Sequence, residues 1–312
     1  MRSHTDEIRS DLPAAAIALP ARGVIIVGGV DAREFLQGLI SNDMRLAAPD
    51  RALWAAMLTP QGKFRHDFFL VEREGAFLID CEADRLMDLG RTLSKYKLRA
   101  DVTLGIGKEW TVSAVIGSGA VALFGLDGRP GAARGLDGGA VLVDPRHAGL
   151  GLRMMLPGPA ASVLAAHGVG EGRFEDYEAL RIALGLPDGA RDMELDKALL
   201  LENGFQELGG VVWDKGCWMG QELTARTKYR GLIKKRLLPV TFDGSPPVPG
   251  TIITLDGREA GEMRSAQGQA GLALIRLERL AEAGDQPLMA GDVPLQVTIP
   301  DWLDSGTAQK PS

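Results

Sequence analysis

Cysteine is scarce in this chain. Among 312 residues there are two, Cys81 and Cys217, far apart and without a Cys-x-x-Cys spacing. That excludes a zinc ribbon, a self-contained four-thiolate cluster and a disulfide framework, and it fits a reducing compartment. A long apolar run is also missing. Met1 to Pro20 carries Asp6, Glu7 and Asp11 around a short Ala-Ala-Ala-Ile-Ala-Leu patch, which reads as neither a signal peptide nor a membrane span. No internal repeat or low-complexity tract occurs. The formal net charge of −6 gives no global case for nucleic-acid binding. The expectation is a cytoplasmic protein without a membrane partner, with a poorly ordered segment over residues 1–20 and a tail over 304–312.

What is present is an ordinary globular composition, long enough for one large domain or two. Gly23 to Val27 reads as a buried strand. Asp31 is a candidate N-cap for a helix with Phe35, Leu36, Leu39 and Ile40 on one face. Ala52 to Leu58 and Phe64 to Val71 form a predicted hairpin around Pro60-Gln61-Gly62-Lys63. Ala76 to Cys81 is a strand and Glu82 to Tyr96 a helix. Trp110 to Ile116, Gly119 to Leu123, Ala140 to Val143 and Leu152 to Leu156 are short strands, with a mobile loop over 125–139. Phe174 to Leu184 is a helix that stops at Gly185-Leu186-Pro187. After Leu237 the pattern changes to short strands joined by Pro- and Gly-rich turns, which predicts a small β-barrel or sandwich. The predicted domains are 21–237 and 238–303.

The chain is organised around Lys215-Gly216-Cys217-Trp218-Met219-Gly220-Gln221-Glu222. A strand-like run, Gly209 to Trp213, precedes it and helical spacing from Gln221 to Arg226 follows. A thiol in such a turn, two residues from a lysine, is expected to ionise more readily than a free cysteine. The alternative is a small buried hydrophobe. The acid-free run beyond it places Arg226, Lys228, Arg230, Lys234, Lys235 and Arg236 together, either as a solvated face or as a wall for an anion. Asp67 stands among Phe64, Phe68, Phe69 and Leu70, where a carboxylate pKa is open to perturbation. Asn42 and Asp43 read either as a helix-end turn or as ligand contacts, and Tyr177 as a core aromatic or a ligand platform.

The Lys215–Glu222 stretch, with Leu223 to Gly231 after it, resembles the signature of the YgfZ family. The block from Gly29 to Met44 and the block from Tyr177 to Pro187 resemble the same family, and the likeness covers about residues 20 to 303. These are folate-binding relatives of the glycine-cleavage T-protein aminomethyltransferase, linked to iron–sulfur cluster assembly. The resemblance implies an α+β fold: a T-protein-like ring of α/β subdomains with a central folate pocket, plus a C-terminal β-barrel. It implies tetrahydrofolate as cofactor, with Tyr177 or Trp213 as platform, Asp67 or Glu194 as acceptor, and Arg181 or Arg226 for the glutamate tail. Asn42 and Asp43 would complete the folate contacts. Cys217 would be the reactive thiol, with Lys215 beside it and Gly216, Trp218, Gly220, Gln221, Glu222 and Arg226 forming the motif. No metal is expected within the monomer beyond Cys217 as a transient cluster ligand.

Two departures matter. His66-Asp67 stands where transferase relatives carry two acids, and Ala183 where they usually carry a glutamate. The implied function is therefore an accessory factor for building or repairing iron–sulfur clusters in client enzymes, including those of tRNA modification. Its partners would be the assembly machinery and those clients. A folate-dependent aminomethyl or methyl transferase is the alternative. An RNA-binding factor comes last, against the acidic balance.

Overall fold

A computed structural model describes residues 13–304. In chain order the strands are β1 (Ala15–Ala18), β2 (Arg22–Gly28), β3 (Leu53–Leu58), β4 (Phe64–Arg73), β5 (Ala76–Glu82) and β6 (Thr103–Gly107). Next come β7 (Trp110–Ile116), β8 (Ala133–Leu136), β9 (Gly139–Val143), β10 (Leu152–Pro157) and β11 (Gly170–Glu171). The last are β12 (Lys235–Thr241), β13 (Ile252–Leu255), β14 (Arg258–Gln267), β15 (Ala270–Arg276), β16 (Leu288–Ala290) and β17 (Val293–Val297). They build a five-stranded sheet, β3-β4-β5-β2-β6, a six-stranded sheet, β11-β1-β7-β10-β9-β8, and a closed barrel, β12-β15-β14-β13-β16-β17.

The inner strands β2, β3 and β9 carry near-continuous apolar runs because both faces of their sheets are covered there. In β2, Val24 and Ile26 face the core between the sheets, while Ile25 and Val27 face the Ala32–Gln37 and Leu86–Lys97 helices. In β9, Ala140 and Leu142 face the same central core, and Val141 and Val143 the opposite side. Period-two alternation thus sends adjacent residues into two cores. The barrel closes its own core around Leu238, Val240, Ile253, Met263 and Ile275. It meets the rest through a small apolar contact of Ile182, Leu237 and Leu272. The α+β architecture with a C-terminal barrel is as expected.

Several local expectations are corrected. Residues 1–12 and 305–312 lie outside the described chain, but Ala15–Ala18 is a strand, not a poorly ordered head. It pairs with β7 and β11, and Ala16 and Ile17 are buried. Residues 120–123 form a short helix entered through left-handed Gly119 (φ 76) instead of a strand. The loop over 125–139 contains β8, paired with β9. Asp31 does not cap its helix, since its carboxylate accepts from Asp101 N (2.7 Å). The division foreseen at 237/238 falls inside β12.

The largest correction concerns Gly209 to Trp213, which belongs to no sheet. Its carbonyls are taken by side chains instead of a ladder. Asn42 Nδ2 donates to Gly209 O (2.8 Å) and Ser41 Oγ to Gly210 O (2.6 Å). An irregular segment survives in the interior only if its backbone groups find such partners.

Candidate functional site

The Ser41-Asn42-Asp43 turn and the loop of residues 213–220 are folded onto one another. Lys215 is buried, and its ammonium donates to the carbonyls of Gln37 (2.6 Å), Ile40 (2.6 Å) and Asn42 (2.7 Å). Those carbonyls lie at and just beyond the C-terminal end of the Ala32–Gln37 helix, where a cation complements the negative end of the dipole. In return, Gln37 Nε2 donates to Lys215 O (2.9 Å) and to Asp43 Oδ1 (3.1 Å). Burial pushes the Lys215 amine down to about 8. All three of its donors are engaged, so none is left for the thiol. Lys215 therefore holds the loop, and the expectation that it activates Cys217 is corrected.

Beyond Lys215 the loop is anchored on both sides of the cysteine. Trp218 is 6% exposed and packs into the core between the sheets, and its backbone N–H donates to Gln221 Oε1 (3.2 Å). Met219 packs against the other core and its N–H donates to Gly38 O (3.0 Å). Gly220, in the left-handed region at φ 83, comes so close to the β3–β4 turn that a Cβ would lie 2.7 Å from Leu58 Cβ and 2.9 Å from Thr59 O. Between these anchors Cys217 is free and exposed. It precedes the Gln221–Tyr229 helix by four residues, outside the reach of the helix terminus foreseen for it. The other thiol, Cys81, is buried, which pushes it up to about 12.

The centre of the molecule is a second, separate arrangement. Asp67 is buried, its Oδ2 accepts from Trp54 Nε1 (3.0 Å), and its Oδ1 has no partner among the described residues. Burial, with Glu82 nearby, raises its pKa to about 6 although Arg22 opposes this. Alternation turns His66 away toward Asp88 (3.1 Å). Around Asp67 lies an ion network missed in the sequence. Asp80 accepts from Arg22 Nε (2.7 Å) and Arg153 Nη1 (2.6 Å), and Asp144 pairs with Arg146 (2.7 Å). The three guanidiniums lie 5.6, 3.9 and 4.8 Å from the Phe69 centroid, in the order Arg22, Arg153, Arg146. The signal was there: Asp80 and Arg153 interrupt otherwise apolar strands, and a buried charge requires a partner.

Measured against a pterin with a glutamate tail, these residues do not fit as expected. Tyr177 is buried with its hydroxyl accepting from Arg153 Nη2 (3.2 Å). Arg181 is wholly buried, held by Glu178 (2.6 Å), Asp192 (2.6 Å) and Leu186 O (2.6 Å), so it cannot meet a tail. Asn42 Nδ2 is shared between Trp54 O and Gly209 O, and Arg45 holds Asp43 down at about 2. Glu194 is exposed and ion-paired with Lys197. Trp213 and Arg226 belong to the cysteine loop and its helix, where Arg226 pairs with Glu222 (2.8 Å). The central aromatics are closed on each other, Trp54 stacking on Phe205 at 3.8 Å. Of these candidate folate residues, Asp67 keeps a buried acceptor without a partner among the described residues.

A superposition and a family match define the class. The crystal structure of glycine cleavage system aminomethyltransferase T from Bartonella henselae matches with a TM-score of 0.73 over 95% of this chain and 88% of that one. Identity is 14%, so the likeness speaks for the fold alone. Residues 234–305 match the family described as CAF17, C-terminal beta-barrel domain. The chain is thus an aminomethyltransferase-like scaffold closed by a CAF17-type barrel.

Sequence relatives narrow this. The human protein named iron-sulfur cluster assembly factor IBA57, mitochondrial, is 34% identical, covering 92% of this chain and 85% of its own length. The mouse protein of the same name is 33% identical, with 91% and 84% covered. The chain belongs to the IBA57 family, close to the YgfZ type that the motifs resemble. These names also overturn the cytoplasmic placement, since both relatives are mitochondrial. Free thiols without a disulfide framework do not tell one reducing compartment from another.

Proposed function

We propose that this chain is an iron–sulfur cluster assembly or repair factor in which Cys217 supplies a thiolate to a cluster shared with a second protein. The carrying observation is an exposed cysteine on a loop held fixed by the buried side chains of Lys215 and Trp218. Such anchoring presents the sulfur to a partner without ordering the loop at the moment of contact. A cluster needs several such ligands. Among the described residues no group of three or more His, Cys, Asp or Glu could hold a metal ion. The cluster is therefore cargo, completed by thiolates from outside.

Tetrahydrofolate has one supporting feature, the unpartnered Oδ1 of Asp67, while the residues expected as platform and tail cation are engaged elsewhere, so no step is routed through it. The transferase alternative loses further ground because His66 points away from Asp67 and cannot act with it. The test replaces Cys217 with Ser in cells that depend on this gene. Activity of enzymes with solvent-exposed iron–sulfur clusters, assayed before and after oxidative stress, is expected to fall while the protein remains folded and abundant. Undiminished client activity in Cys217→Ser would sink the proposal.

A further inference from the structure

The acid-free run after the cysteine is divided by the fold. Arg236 is buried against Glu207 (2.7 Å) and Leu201 O (2.6 Å), and Arg226 pairs with Glu222. Lys228, Arg230 and Lys234 have no ion pair among the described residues. Tyr229, 75% exposed, and Leu232, 42% exposed, stand between them. A tyrosine and a leucine in water, rimmed by three uncompensated cations, are unusual on a chain of formal charge −6. Tyrosine and arginine are the side chains that anchor protein interfaces.

The helix end of this patch lies against the start of the cysteine loop. The Gln221–Tyr229 helix runs back so that its last turn meets the first residue of the cysteine loop. Lys228 Nζ is 4.1 Å from the Trp213 ring centroid, and the Tyr229 ring is 6.3 Å from it. Cys217 is four residues further on, so its Cα is within about 15 Å of Trp213 whatever path the loop takes. A partner whose thiolates reach Cys217 therefore has Lys228 and Tyr229 within the span of an ordinary protein interface. A thiolate-ligated cluster carries net negative charge. Lys228 and the two further unpaired cations that follow it in the chain favour an acidic surface and disfavour a basic one.

Resting on the assembly reading above, we infer that Lys228, Tyr229, Arg230, Leu232 and Lys234 form the docking face for an acidic, cluster-carrying protein, whose thiolates complete the cluster at Cys217. A protein surface suits the patch better than RNA. Trp213, the other large ring here, is half-buried under Lys228, which leaves Tyr229 alone as a platform for bases.

The test uses a glutamate-rich dithiol peptide as probe, and the same peptide with glutamines in place of the glutamates. Binding of the metal-free peptides is read by fluorescence anisotropy, and visible circular dichroism reports a [2Fe–2S] cluster loaded on the acidic one. Wild type is expected to prefer the acidic peptide by about tenfold at low salt, the preference collapsing as salt screens it. Arg230→Glu combined with Lys234→Glu, both exposed, is expected to abolish that preference with the melting temperature unchanged. Cys217→Ser is expected to keep the preference and lose the wild-type dichroism. Equal binding of the acidic peptide by wild type and the charge-reversed protein overturns the docking face, even if the dichroism still depends on Cys217. Tighter binding of an oligouridine than of the acidic peptide overturns it as well. A retained charge preference without any Cys217-dependent dichroism supports the docking face and defeats the cluster-sharing reading instead.

Discussion

Replacing Asp67 with Asn should make the protein more stable at neutral pH. The carboxyl is buried beside Glu82, receives one hydrogen bond, from Trp54, and titrates at about 6 in the folded chain against 3.8 for the group in water. Because the folded pKa is the higher one, the folded state holds the proton more tightly. The stabilisation from that proton is complete below about 3.8 and is lost as pH rises through about 6. Two pKa units correspond to roughly 3 kcal/mol. Asparagine keeps the carbonyl that accepts from Trp54, places an amide donor where Oδ1 stood, and never ionises. In urea unfolding followed by tryptophan fluorescence, the variant should exceed wild type by about 2–3 kcal/mol at pH 7 and above. The gap should close toward pH 4. Comparing the two proteins at each pH removes every other titrating group shared by both. A gap that does not change with pH would refute the reasoning, and one favouring aspartate at pH 7 would leave attraction to Arg22 as the dominant influence.

The remaining predictions concern the cysteine loop. Trp218→Ala removes a 6%-exposed anchor from the central core and should cost about 3–5 kcal/mol in chemical denaturation. Gly220→Ala forces a Cβ to 2.7 Å from Leu58 at φ 83, so its unfolding free energy should drop by 2 kcal/mol or more, roughly. Iodoacetamide at pH 8 should label Cys217 alone, as read by peptide mass mapping, because Cys81 is buried and pushed up to about 12. Labelling of Cys81 in the folded protein would contradict its placement.

Local pattern carried the elements whose signals are local. The β3–β4 hairpin, the Phe174–Ala183 helix and barrel strands β12 to β15 followed from alternation, helical spacing and turn residues, whereas β16 and β17 did not. Gly209 to Trp213 failed for a tertiary reason. It has strand composition, yet side chains more than 160 residues earlier take its carbonyls, with separations of 167 and 169. The site divides the same way. The Lys215–Glu222 motif was visible as a resemblance, but the partner of Lys215 at Asn42 is 173 residues away. Asp80 meets Arg22 at a separation of 58 and Arg153 at 73, and no periodicity encodes such pairs. Tyr177 and Arg181 drew attention as ligand groups because side chains built for binding and those built for a buried ion network are the same types. Only burial separated them.

The contact between the barrel and the ion network bears on the order in which the chain can mature on a ribosome. Asp192 accepts from Arg181, from Asp188 N and from Ser265, and Ser265 emerges 73 residues after it. Ile182 likewise waits for Leu237 and Leu272. A nascent chain that has delivered both sheets still has a charged cluster short of a donor and an apolar spot in water. Its last stretch therefore completes the fold of its first. Interrupted synthesis anywhere before β14 leaves a product marked for chaperones or proteolysis by that open seam.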